Sequence, residues 1–119
     1  MTITTSGNNI TLSSSGSGGG GSGTSFTNSL LTSSATGQSF YTYIIDSSSN
    51  DVTLTLPQSP TDGDEIRIKH KTKGTSYYLY IVPQIGHTID DSTSTITSDQ
   101  EKDAWHFVWY DTGSDWMIF

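Results

Sequence analysis

The sequence predicts an all-β fold: a small antiparallel β-sandwich or barrel-like knob, preceded by an extended Ser/Thr/Gly-rich arm. Three observations lead there. Apolar residues alternate at period two in successive short runs after residue 40, the mark of half-buried strands. Clusters of Gly, Pro, Asn, Asp and Ser separate those runs. No window carries the 3.6-residue stripe of a helix, and the capping-box pattern Ser98-Asp99-Gln100-Glu101 precedes no apolar run.

Taken in order, Phe40 to Ile45 opens the series of strands. Val52-Thr53-Leu54-Thr55-Leu56 sets its aliphatic residues on one face and threonines on the other. Glu65 to Lys69 turns Ile66 and Ile68 inward beneath a charged outer face, and Tyr77 to Val82 is apolar on both faces. Short pieces at Thr88-Ile89 and Thr95-Ile96 follow, then Ala104 to Tyr110 and Trp116 to Phe119. Strands apolar on both sides need cover on both sides. Too few strands remain for a full second sheet, so identical subunits are expected to supply part of that cover.

Composition divides the 119 residues in two. Residues 1–39 hold no charged side chain and centre on the Gly-rich run 16–23, a flexible-linker composition. Such a segment buries too little apolar surface to offset the ordering of its backbone, about 1–2 kcal/mol per residue. Residues 40–119 carry all 5 Lys/Arg and all 12 Asp/Glu, and are assigned to the knob. A net charge of −7 argues against nucleic-acid binding through phosphate contacts. No stretch approaches the ~18–20 apolar residues of a membrane span, and Met1 to Thr5 lacks the features of a secretory signal. With no Cys, disulfides and thiolate chemistry are excluded.

Motifs that would announce an enzyme have simpler explanations. Asp111-Thr112-Gly113-Ser114 after an apolar strand spells the aspartic-protease signature, yet the few residues after Ser114 leave no room for a flap. A tight hairpin with Gly113 at positive φ accounts for it. The run from Gly16 matches a dinucleotide fingerprint only because polyglycine matches any glycine pattern, and no strand, helix or acidic residue frames it. The carboxylates, Asp62 and Asp64 among them, lack the alternation of a calcium loop. His70, His87 and His106 fall on separate elements without metal-ligand spacing. No catalytic residue, cofactor or metal site is expected.

Two groups remain as candidate contacts. Arg67, Lys69, Lys71 and Lys73 form a cationic stripe on an acidic chain. It reads first as an outward face, or an edge strand blunted by charge; an acidic partner or anionic glycan is the functional alternative. Tyr77, Tyr78, Tyr80, Trp105, Phe107 and Trp109 read first as core or subunit interface, and only if exposed as a platform for sugars.

A pattern then emerges across residues 41–119. Leu54-Thr55-Leu56-Pro57, Pro60 to Lys69, Ile81-Val82-Pro83, Gly86-His87-Thr88-Ile89-Asp90 and Tyr110 to Trp116 occur in an order that resembles the modules of bacteriophage tail-fibre, tailspike and head-fibre proteins. It departs at Thr112, an extra residue in the last turn, and at Asp91, where these modules often carry Gly. The resemblance implies a virion location and trimeric assembly. The expected protein is therefore a non-enzymatic viral structural subunit of a fibre, spike or capsid decoration. Residues 1–39 would bind other virion proteins, and the knob would trimerise and contact host-surface glycan. A small carbohydrate-binding or adhesin module is the alternative.

Overall fold

The structure, a computed structural model, describes residues 25–119. Ten strands account for its regular structure: β1 (Thr27–Leu31), β2 (Ala35–Thr36), β3 (Tyr41–Ser47), β4 (Val52–Thr55), β5 (Glu65–Lys73), β6 (Leu79–Val82), β7 (Thr88–Ile89), β8 (Ile96–Ser98), β9 (Ala104–Tyr110) and β10 (Asp115–Ile118). They form two sheets, one ordered β1-β3-β5-β9-β10-β7 and the other β2-β4-β6-β8. The all-β, two-sheet architecture is thus observed, and β2, β4, β6 and β8 supply the second sheet for which too few strands had seemed to remain. That sheet covers the inner face of the first without a second copy of the chain.

Pairing is mixed, and antiparallel only toward the C-terminus. β1, β3 and β5 run parallel, as do β2, β4 and β6. The cause lies in the path of the chain. Each strand through β6 is followed by one in the opposite sheet, so the chain returns to a sheet in its original direction and winds around the core as a coil. Antiparallel pairs interrupt this stack, β9 on β5, β10 on β9 and β8 on β6, and β7 then ends the larger sheet parallel to β10. Strands β1 and β2 lie in the segment that composition assigns to the arm, so the β-rich body begins before residue 40. The Gly-rich run and Ile3, Ile10 and Leu12 lie outside the described residues.

The core fills the space between the sheets. Ile45, Ile66, Ile68, Phe107 and Trp116 meet Val52, Leu54, Leu79 and Ile81, all at 0–1% exposure. Burying an aliphatic or Phe side chain of this size contributes about 1.5–3 kcal/mol, so this interior is the main source of stability. The period-two strands feed it directly: β4 buries Val52 and Leu54, and β5 buries Ile66, Ile68 and His70.

Turns set the strand directions. In the turn closed by Asp64 N–H donating to Thr61 O at 2.8 Å, Gly63 takes φ +86°, the left-handed value a type II turn demands at its third residue. At the 111–114 turn, Ser114 adopts positive φ (50°) and Gly113 does not, contrary to the sequence expectation. The side chains explain the turn's shape: Asp111 accepts from Trp109 Nε1 at 3.0 Å and its own N–H donates to Asp62 Oδ1 at 2.9 Å. Gly74 is needed for close approach, since a Cβ there would lie 2.6 Å from the Ser48 carbonyl oxygen.

Candidate functional site

The outer face of β5 carries the chemistry. With Ile66, Ile68 and His70 pointing into the core, alternation sends Arg67 and Lys69 to the opposite side. Register then sets their neighbours. Arg67 lies between Thr42 of β3 and His106 of β9, and Lys69 between Ile44 and Ala104. β5 is an internal strand, so the stripe is an outward sheet face and not a blunted edge.

The four cations do not act together. At the β3–β5 irregularity Ile45 pairs with His70 and Asp46 with Thr72, which leaves Lys71 as the extra residue of a bulge. Lys73 turns away: its Nζ donates to Gly74 O at 2.9 Å and sits 4.8 Å from the Tyr78 ring centroid. Lys69 Nζ donates to Lys102 O at 2.8 Å, and Lys102 Nζ to Lys71 O at 2.9 Å, so the turn before β9 adds a cation that sequence reasoning missed. Nothing in the local sequence around Lys102 signals this; the 33-residue separation is closed by the fold.

Arg67 and Lys69 share a groove with Thr42, His106 and Phe119, of cavity volume about 320 Å³. The Arg67 guanidinium lies 3.8 Å from the centroid of Phe26, a cation–π contact of about 0.5–1 kcal/mol at an exposed site. Phe26 in turn meets Phe40 edge-on, with centroids 5.8 Å apart. Phe40 holds φ 62°, an outlier for a bulky residue, directly beside this platform. On the other wall, Phe119 N–H donates to His106 O at 2.9 Å and the ring stays 75% exposed. His106 Nε2 lies 2.6 Å from Glu65 Oε1. Among the described residues this is the single contact within 4.0 Å between a basic and an acidic side chain, and no Lys or Arg has a carboxylate within that distance.

The aromatic candidates separate. Phe107 and Trp109 belong to the core and Trp105 packs against it. Tyr78 and Tyr80 are half-buried and meet edge-on at 6.3 Å, and only Tyr77 is exposed. The alternating aromatics of β9, Trp105, Phe107 and Trp109, therefore face the core, and only Tyr110 at its end is exposed.

A second constellation is buried and was not foreseen. His70 is fully buried; its Nε2 lies 2.8 Å from Ser47 Oγ and its Nδ1 2.8 Å from Ser98 Oγ, which donates to Asp103 Oδ2 at 2.9 Å. These residues stand 23 and 28 positions from His70, too far apart for any motif. Burial pushes the His70 pKa down, with the Asp103 charge acting the other way. The chain of contacts resembles a nucleophile–base relay. However, Ser47 is itself fully buried, so no substrate reaches its Oγ. The relay instead ties β3 and β5 of one sheet to β8 of the other. His87 lies elsewhere, 4.6 Å from the Trp109 ring, so the three histidines do not converge. Among the described residues, no group of three His, Cys, Asp or Glu is placed to hold a metal, and no helix is long and apolar enough to cross a membrane.

No protein-family model and no curated protein gives a significant match to this chain.

Proposed function

We propose that the chain is a non-enzymatic structural subunit of a virion appendage, a fibre, spike or capsid decoration, that assembles as a homotrimer. Its N-terminal segment would join other virion proteins. The observation that carries this reading is the polarity of the coil. Beyond β5 and β6 the parallel stack is broken by antiparallel pairs and the far edges are the short β7 and β8, whereas on the other side, among the described residues, parallel pairing runs uninterrupted out to the edge strands β1 and β2. Stacked architectures continue where their ends are uncapped, and open edges recruit further strands. A module whose parallel stack is broken on one side and runs to the edge on the side of its N-terminus is suited to sit at the tip of a larger assembly. The ordered resemblance over residues 41–119 supports the virion setting.

The adhesin alternative required two or more of the candidate aromatics in solvent on one face. Burial of Phe107 and Trp109 removes that support. Light scattering on the full chain tests the proposal: a particle of about three times 12.9 kDa is expected at micromolar concentration. A monomer under those conditions would overturn it.

A further inference from the structure

We propose that the groove on the outer face of β5 binds an acidic carbohydrate through the carboxylate of a uronic-acid residue. The inference concerns surfaces within one chain and does not rest on the trimer or on the virion setting.

Charge supplies the first argument. The chain has 12 carboxylates and a net charge of −7, yet Arg67, Lys69, Lys71 and Lys102 gather on one face with no carboxylate among the described residues close enough to pair. Surface cations in so acidic a protein are expected to find counter-charges by chance alone. Glu65 on the same face is held by His106 and Asp46 feels the Lys71 charge, so Arg67 and Lys69 are the groove cations left without a direct carboxylate partner, and they present a local positive field to a small anion.

Orientation supplies the second. Arg67 is not a freely waving side chain: Phe26 supports one face of its guanidinium, and Thr42 and His106 are its cross-strand neighbours. A guanidinium held flat presents its N–H donors as a fork that matches a planar carboxylate in a bidentate pair. The strained Phe40 backbone beside Phe26 is the kind of local cost that accumulates where a contact surface is being shaped.

The opposite wall and the size of the groove narrow the ligand class to a sugar. Phe119 offers an exposed ring, anchored by its backbone to β9, on which the C–H face of a pyranose can stack. Thr42 adds a hydroxyl for the sugar's own hydroxyls, beside the His106 ring that Glu65 holds through Nε2. A volume of about 320 Å³ lies at the small end of the ~300–1,000 Å³ of ligand sites, room for one sugar unit of a longer chain. An acidic peptide fits less well. β5 is paired on both sides, so an extended peptide finds no free backbone edge and would be held by charge alone.

The test is isothermal titration of the full chain with trigalacturonate, its methyl ester, and a glutamate tripeptide. Binding of trigalacturonate is expected. Esterification, which removes charge and keeps the ring, should weaken it by about ten-fold or more. Arg67→Gln should cost a similar factor, and Lys73→Gln, outside the groove, should cost nothing. Phe119→Ala should weaken the sugar and leave any peptide binding unchanged; since Phe119 is exposed, this variant retains the fold even if Arg67→Gln does not. Equal binding of acid and ester, equal binding of peptide and sugar with indifference to Phe119→Ala, or no heat with trigalacturonate would each overturn the inference.

Discussion

Replacing His70 with Gln is expected to lower stability at neutral pH and to remove part of its acid sensitivity. The hydroxyl hydrogens set the tautomer. Ser98 Oγ has a single hydrogen and donates it to Asp103 Oδ2 at 2.9 Å, so His70 Nδ1 must donate to Ser98, leaving Nε2 to accept from Ser47. Protonating Nε2 reverses that last bond, so that Nε2–H donates to Ser47 Oγ and the Ser47 hydrogen must find another acceptor. Ser47 is then left with Thr72 O at 3.4 Å, a long contact, and a charge sits in a site that burial already penalises. The folded pKa thus lies below the unfolded one, near 6.5. Asp103 and Glu101 oppose the shift and Lys73 reinforces it. Between the two values the unfolded chain binds more protons. The stabilisation is therefore present above about pH 6.5 and is lost as pH falls through the folded pKa, with a slope of up to about 1.36 kcal/mol per pH unit.

His70→Gln shortens the side chain and leaves at least one of the two serine hydroxyls unpartnered. A buried unsatisfied group costs about 1–3 kcal/mol. Ser98 keeps Asp103, so the loss falls on Ser47 and the low end, about 1–2 kcal/mol, is expected. Urea denaturation of both proteins at pH 7.5 and 5.5 reads the two effects, and the gap between them should narrow at the lower pH. Parallel pH profiles would refute the tautomer and linkage argument.

Glycine substitutions separate two kinds of cost. Gly74→Ala places a Cβ 2.6 Å from the Ser48 carbonyl oxygen, so backbone must shift, with an expected loss of about 1–3 kcal/mol. Gly63→Ala meets nothing within 4 Å and should lose only the left-handed penalty, about 1–2 kcal/mol, without displacing its surroundings. Amide chemical shifts distinguish them, changes reaching residues 47–49 only for Gly74→Ala. Phe107→Ala, at the fully buried centre of β9, should cost about 3–5 kcal/mol in the same denaturation assay, and a loss under 1 kcal/mol would show that the ring is not core.

Strand content was legible because alternation is a local signal. Val52-Thr53-Leu54-Thr55 states its inward face without reference to any partner, and β4 buries Val52 and Leu54 as that pattern requires. Direction of pairing is not local. A parallel coil announces itself by a constant repeat, and here none exists: Thr27 pairs with Tyr41, 14 residues on, but Thr42 pairs with Arg67, 25 residues on, and in the other sheet Ala35 pairs with Leu54 and Val52 with Leu79, separations of 19 and 27. β1 was hidden for a related reason. Thr27, Asn28 and Ser29 are polar, and they form a strand because β3 offers them a parallel edge. For the site, the stripe Arg67-Lys69 followed from alternation, whereas Phe26, Phe119 and Lys102 reach it only through the fold.

The two faces of β5 explain why its sequence carries a His among the inward positions and basic residues among the outward ones. Inward, an aliphatic residue at position 70 would pack as well as Ile66 and Ile68 do, but it would leave the Ser47 hydroxyl unmatched between the sheets and Ser98 with Asp103 alone. A neutral imidazole accepts from one and donates to the other, which locks β3, β5 and β8 in a single relative register. Outward, that same fixed register is what keeps Thr42, Arg67 and His106 in one cross-strand row and holds the groove's shape. Loosening the buried relay should therefore weaken ligand binding at the groove even though no relay atom lines it. In His70→Gln, trigalacturonate affinity is expected to fall by several-fold with the enthalpy of binding reduced, because the row must be re-ordered on binding. Unchanged affinity in a folded His70→Gln protein would show that the outer row is held by β3–β5–β9 pairing alone.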